Sequence, residues 1–234
     1  MDLLDCGRFV IRIVITGGPC GGKTISIRRL LKELHKEEFA RDYVVLTMDE
    51  TATQLIGSGI NPLNCLTPCT YQLMQMKLQY FREKIYAAAA EEIAQTQKKS
   101  VIILYDRGMM DNKAYIPYEE FLKDLDILGL TEDECLSWYD AVYHMMTAAK
   151  GAEKFYSKEN NRARMENPKQ AAYRDDRTLK AWEDHPARKV FDNSTGFPRK
   201  VDRLVEEIKH FLREEVPEMT NRLPEITLEE DSII

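Results

Sequence analysis

The sequence predicts an α/β fold, a parallel β-sheet flanked by helices, and three observations carry that expectation. Apolar runs alternate with segments of helical period along the 234 residues, as strands and crossover helices do. Val101-Ile102-Ile103-Leu104-Tyr105 is apolar without alternation, the pattern of a parallel strand covered on both faces. Between the first apolar run (9–16) and the first helical pattern stands Gly17-Gly18-Pro19-Cys20-Gly21-Gly22-Lys23-Thr24, a strand–glycine loop–helix junction.

Phe9 to Thr16 reads as the first strand. A helix over about 23–38 follows, with Ile27, Leu30, Leu31 and Leu34 on one face. Tyr43 to Met48 is the second strand and ends at Asp49-Glu50-Thr51, before a loop rich in Gly, Asn and Pro over 57–68. Thr67 can cap a helix whose first residue is Pro68, tolerated there because no N–H is needed. That helix runs to about Gln97 and carries Met74, Leu78, Phe81, Ile85 and Ala89 on one stripe. After the third strand (101–105) come short helices near 118–127 and 132–138, the second opened by the capping box Thr131-Glu132-Asp133-Glu134. Ala141 to Met146 and Lys189 to Asp192 are the fourth and fifth strands, with a charged helical segment between them, and a final helix covers about 199–214. The expected organisation is a leader (1–8), one domain (9–215) with a lid segment at about 150–180, and a loosely attached acidic tail (216–234).

Composition narrows the function classes. Hydrophobic residues make up 44%, enough for a sizeable core, and the net charge of −6 predicts no bulk attraction to nucleic acid. The five cysteines (Cys6, Cys20, Cys65, Cys69, Cys135) are scattered without a Cys-x-x-Cys, and the four histidines show no metal spacing. The first residues lack a secretory pattern, and no apolar run approaches the ~18 residues of a membrane span. A cytoplasmic location is expected, with any membrane contact peripheral and no transmembrane segment.

The glycine loop carries the chemistry. Gly17, Gly22, Lys23 and Thr24 meet every requirement of a phosphate-binding loop, and the absent Cβ atoms let the N–H groups of Gly18 to Thr24 approach phosphate oxygens. Lys23 would reach the β- and γ-phosphates, and the Thr24 hydroxyl would complete the shell of a Mg²⁺ ion. The third strand ends in Asp106-Arg107-Gly108: Asp106 would hold Mg²⁺ through water, or be an exposed strand-end carboxylate. Arg107 would steady a phosphoryl oxygen or form a surface ion pair. Glu50 would take a proton from an acceptor hydroxyl or orient a water, or the Asp49–Thr51 segment would cap a helix. Met109, Met110, Tyr115 and Tyr118 are candidate lining residues of an acceptor pocket. From Lys150 to Lys180 nine bases stand against five acids, either a cationic lid over phosphates or a solvated helix of neighbouring ion pairs such as Arg174 with Asp175 or Asp176. Asn112-Lys113 is followed by Ala114-Tyr115, so the guanine motif Asn-Lys-x-Asp is missing. The formal Asp-x-x-Gly at Asp126–Gly129 follows a helical pattern. A small Ras-like GTPase is therefore not expected, and a ring-forming mechanical ATPase would need a second helical domain that the sequence does not display.

The joint pattern of the glycine loop, Glu50-Thr51-Ala52-Thr53, Asp106-Arg107-Gly108, Gly151-Ala152-Glu153-x-Phe155-Tyr156, Arg164-x-Glu166, Ala181-Trp182-x-x-His185-Pro186 and Asp192-Asn193-Ser194 resembles one small P-loop family. It groups the ribosylnicotinamide kinase domain of NadR with the TRP translocation defect protein, and the resemblance covers about residues 9–214, closer to the second, eukaryotic branch. It implies a kinase-like P-loop NTPase fold with strand order 2-3-1-4-5. It further implies nucleotide contacts from Gly18 to Thr24, a Mg²⁺-linked acid at Asp106, a lid arginine at Arg164 and a base-proximal loop at Asp192-Asn193-Ser194. The eukaryotic branch is known for GTP binding, for binding phosphatidic acid and phosphoinositides, and for membrane-protein trafficking. Many members carry a further β-rich domain; this chain ends at Ile234. Two functions compete. One is phosphotransfer from ATP or GTP to a small hydroxyl-bearing acceptor, with Lys23, Asp106 and Arg164 on the phosphates and Glu50 as base. The other is a slow hydrolase or switch controlling a protein partner or an anionic-lipid contact.

Overall fold

In a computed structural model that describes residues 10–62, 66–152 and 167–216, five strands form one all-parallel sheet in the order β2-β3-β1-β4-β5. The strands are β1 (Val10–Thr16), β2 (Tyr43–Met48), β3 (Ser100–Asp106), β4 (Ala141–Met145) and β5 (Arg188–Phe191). The central β1 is buried along its whole length, and β3 at every residue but the last, Asp106, as their unbroken apolar runs require. Alternate β1 residues feed two cores. Ile11, Ile13 and Ile15 join Ile27, Leu30 and Leu34 of α1 (Lys23–Leu34) on one face. Val10 and Val14 join Met76, Tyr105 and Trp182 on the other.

Helix boundaries depart from the sequence expectation at three points. α1 stops at Leu34, and residues 37–40 form a separate turn, α2 (Glu37–Ala40). The segment after β2 is helical, α3 (Thr51–Gly57), so the loop begins at Ser58. Met109–Ala114 forms a 3-10 helix where the sequence reading places no element. The remaining elements are α4 (Pro68–Gln97), α5 (Tyr118–Leu128), α6 (Glu132–Ser137), α7 (Pro168–Ala181), α8 (Phe197–His210) and a terminal π-helical turn (Phe211–Glu215). The Thr67 cap on α4 and the Thr131–Glu134 capping box on α6 form as their sequences predict. Gly129, in the left-handed conformation, ends α5, so the Asp126–Gly129 pattern is the last turn of a helix and not the end of a strand.

The orientation of α4 is inverted. Its buried face mixes Met76, Ala87, Ala90 and Ala94 with four polar residues, Gln72, Gln75, Gln79 and Glu83, turned inward, while Met74, Phe81 and Ile85 of the apolar stripe are exposed. The inward amides meet Asn112 of the 3-10 helix: Gln72 and Gln75 donate to its Oδ1, and its Nδ2 donates to Gln79 Oε1 (3.1 Å) and the Met109 carbonyl (2.7 Å). Gln79 and the Tyr139 hydroxyl then donate to Glu83 Oε1 at 3.1 and 2.6 Å. A buried polar ladder of this kind holds because each member is satisfied.

Burial raises the Glu83 pKa to about 7, against the bonds from Tyr139 and Gln79 and the charges of Arg12 and Arg82. A carboxyl raised in the fold adds stability below its unfolded pKa, and that stability is lost as pH rises from about 4.5 through 7. Glu83→Gln is therefore expected to flatten the pH dependence of the melting temperature over that window. The difference from wild type should change by about 3 kcal/mol across the window, and parallel melting profiles would reject a raised Glu83.

Candidate functional site

The loop after β1 passes over the end of β4. Gly17 has φ of 130°, and a Cβ there would collide with the Met145 carbonyl oxygen. Gly22, at φ 93°, is the N-cap of α1, where a Cβ would strike the Phe197 ring. Both positions need glycine, for the left-handed backbone and for the close approach. α1 opens at Lys23 with no side-chain cap and no acidic residue in its first turn, so its free N–H groups and positive dipole end are left for an anion. The loop is fastened from outside. The Thr147 hydroxyl donates to the Pro19 carbonyl, the Ala148 N–H to the Cys20 carbonyl (3.2 Å), and the Gly18 N–H to Asp175 Oδ1 (2.8 Å). Lys23 lies folded over this loop, buried, its Nζ donating to the carbonyls of Gly17 (3.0 Å) and Gly18 (3.1 Å). Burial, then the neighbouring Arg107, lowers its pKa.

Asp106, the last residue of β3, comes to the start of α1. The Thr24 hydroxyl donates to its Oδ2 at 3.2 Å, and its Oδ1 is buried without a hydrogen-bond partner. Burial drives its pKa up, against the pull of Lys23. An orphaned carboxylate oxygen beside a threonine hydroxyl suits Mg²⁺, which takes one or two protein oxygens and completes its shell with water and phosphate. Among the described residues no group of three or more His, Cys, Asp or Glu could hold a metal alone, so phosphate oxygens and water would supply the other ligands here.

A family model described as an AAA domain matches residues 12–200. The chain belongs to that family. The match runs from β1 into the first turn of α8 and includes the loop, Asp106 and α7, which makes the loop a P-loop of a nucleotide-binding domain. No curated protein matches the chain. The strand order is that of the P-loop fold which the sequence resemblance implies.

Glu50 and Arg107 join the same site. Arg107, at φ 77°, turns its side chain inward: Nε donates to Glu50 Oε1, and Nη1 donates to Asp111 Oδ1 (3.1 Å) and the Gly17 carbonyl (3.2 Å). Of the two readings of Arg107, the surface ion pair is ruled out by burial; its partners are internal. Glu50 also accepts from Thr53 (2.6 Å). Burial would raise its pKa, but Arg107 and Lys23 outweigh burial and hold the carboxyl low. The residue caps α3 by position without a side-chain bond to a backbone N–H, and its carboxylate is shared between Arg107 and the Thr53 hydroxyl.

Asp111 was not singled out from sequence, yet it ties the site together. Its Oδ1 accepts from Thr16 (2.5 Å) and Arg107, and its Oδ2 from the Gly108 N–H (3.0 Å) and Trp182 Nε1 (3.1 Å). The only sequence signal is its position four residues after Arg107. Tyr71, on the first turn of α4, is a second unforeseen residue. Its hydroxyl is buried without a hydrogen-bond partner, and its pKa is pushed up to about 12 by burial, with Glu50 and Tyr115 adding to the shift.

Of the proposed pocket residues, Tyr115 lies between the guanidinium groups of Arg107 (5.8 Å) and Arg174 (4.8 Å). Met109 and Met110 are buried in the core, and Tyr118 is exposed and bonded to Glu132 (2.6 Å). Asn112 is fully used by the glutamine ladder, consistent with the missing guanine motif. In the cationic segment, Arg174 does not pair with Asp175 or Asp176. It donates to the Ala114 carbonyl (2.6 Å), Arg177 to those of Lys113 and Ile116, and Lys150 takes both aspartates. α7 is thereby bolted to the 3-10 helix by cations bonded to carbonyls. Arg164, the expected lid arginine, lies outside the described residues.

Asp192, Asn193 and Ser194 sit past β5, on the far side of the P-loop from Glu50. Asp192 accepts from Ser194 and Arg203, and Asn193 donates to the carbonyls of Thr147 and Lys150. Lys200 links them to the loop: its buried Nζ donates to Met146 O (2.5 Å), Asn193 Oδ1 (3.0 Å) and Gly21 O (3.3 Å), and burial lowers its pKa to about 8. No sequence pattern marks Lys200 or Asp175 for these roles. Cys20, Cys69 and Cys135 are in no disulfide; Cys6 and Cys65 lie outside the described residues.

Proposed function

We propose that the chain binds ATP or GTP with Mg²⁺ on the P-loop and transfers the γ-phosphoryl to a small hydroxyl-bearing acceptor, in the manner of the NadR-like kinases. Gly17 to Thr24 would hold the triphosphate, Lys23 would leave the Gly17 and Gly18 carbonyls for the β- and γ-phosphates, and Thr24 and Asp106 would hold the ion. Mg²⁺, when bound, would neutralise charge on the phosphate oxygens. Arg164 would meet the transferring group from the lid, and Asp192-Asn193-Ser194 would border the base.

The observation that carries the phosphotransfer reading is the buried, unpartnered hydroxyl of Tyr71, whose pKa burial raises with the Glu50 charge adding to the shift. A buried donor left unbonded calls for a partner, which a bound acceptor would supply. Each Glu50 oxygen accepts a protein bond and retains a lone pair. In a loose phosphoryl-transfer transition state the acceptor proton leaves late, so a weakly basic carboxylate can still orient the hydroxyl.

The Glu50–Arg107 pair also favours a second reading, because a carboxylate held at low pKa is a poor base. The domain would then be a slow NTPase whose nucleotide state governs a protein partner or binding to phosphatidic acid or phosphoinositides in membrane-protein trafficking. Incubation with ATP or GTP, Mg²⁺ and a panel of nucleosides and ribosylnicotinamide separates the two. Phosphorylated acceptor in the mass spectrum, with Tyr71→Phe raising the acceptor KM about 2- to 10-fold, supports the kinase. Steady hydrolysis that no acceptor accelerates, with nucleotide-dependent vesicle binding, supports the switch.

A further inference from the structure

The inverted α4 leaves an apolar seam on the outer face of the domain. Met74 (38% exposed), Phe81 (58%) and Ile85 (49%), with half-buried Leu78 and Ala88, follow each other at spacings of four, three, four and three residues. Such spacing is that of a coiled-coil seam, and it extends about 21 Å along the helix at 1.5 Å per residue. The polar ladder takes the opposite face, so this seam has no part in the internal core.

We infer that α4 pairs antiparallel with α4 of a second copy of this chain about a twofold axis at the level of residue 83. In that register Phe81 packs against Ile85 of the partner and Leu78 against Ala88, so one stripe is complementary to itself. The flanking charges agree. Lys77 and Glu91 are both exposed on the same side of the seam, and the twofold brings Lys77 of each copy to Glu91 of the other. The like charges nearest the axis are drawn aside: Lys84 lies over the Tyr80 ring at 5.2 Å, and Arg82 donates to the Thr51 hydroxyl at 3.0 Å. A lipid surface fits less well, because an interfacial helix carries bases all along its polar flanks, whereas here Lys77 and Lys84 share the flanks with Glu91 and Glu92 and the net charge is −6. An interface of one helix pair lies near the lower limit of about 1,000 Å² for specific association, so the dimer is a weak one, dissociating in about the micromolar range.

Sedimentation of the full chain over a range of concentrations tests this. The expected result is a monomer–dimer equilibrium whose dissociation constant rises at least about tenfold in Phe81→Glu/Ile85→Glu. Circular dichroism should be unchanged, because both side chains are exposed. Lys77→Glu should weaken the dimer, and adding Glu91→Lys should restore it. A monomer at all concentrations overturns the inference, whether residues 217–234, a lipid or another protein then proves to cover the seam. So does a dimer indifferent to the Phe81 and Ile85 substitutions, or one not rescued by the charge exchange.

Discussion

Lys23→Ala is expected to lower affinity for ATP and GTP by about 30- to 5,000-fold, since truncating one partner of a desolvated charge contact costs about 2–5 kcal/mol. The ammonium is already buried and rests on two carbonyls, at 3.0 and 3.1 Å. Its pKa is lowered by burial and by Arg107, so its charge is poorly compensated without a ligand. On the proposed reading a triphosphate would add compensation to that of Asp106, Glu50 and Asp111, and the exchange of carbonyl partners for phosphate oxygens would favour binding. The fold should survive, because the P-loop is held independently by Thr147, Ala148, Asp175 and Lys200. Calorimetry with a circular dichroism control checks both parts; undiminished affinity would place the phosphates elsewhere.

Asp106→Asn is expected to reduce Mg²⁺-dependent turnover about 10²- to 10³-fold, the several kcal/mol that metal-linked charge stabilisation supplies. The substitution preserves shape, and an amide oxygen can still accept from the Thr24 hydroxyl. What it removes is the negative charge on the oxygen that now lacks a partner. Nucleotide binding measured without Mg²⁺ should be largely retained, which separates loss of the metal from loss of the pocket. Normal turnover at saturating Mg²⁺ would reject Asp106 as the acid linked to the ion.

The strands and the P-loop could be read from the chain because their residues answer to local demands. Gly17 and Gly22 adopt backbone angles that favour glycine, and β1 and β3 are apolar because both faces are covered. The orientation of α4 could not be read in the same way. Its apolar stripe has helical spacing, but Gln72, Gln75 and Gln79 find partners in Asn112, which lies dozens of residues away, and those bonds turn the polar face inward. Arg107 and Glu50 were visible as charged residues at strand ends, while their pairing follows from β2 and β3 being neighbours. The roles of Asp111 and Asp175 are not legible for a related reason. Each satisfies donors from several elements at once, and such convergence leaves no pattern along the sequence.

Equilibrium dialysis of the wild-type chain against ATP and GTP, each with Mg²⁺, tests the central claim most directly. The account predicts retention of about one nucleotide per chain, competed by inorganic triphosphate because the P-loop holds the phosphates. Folded protein that retains neither nucleotide would contradict it.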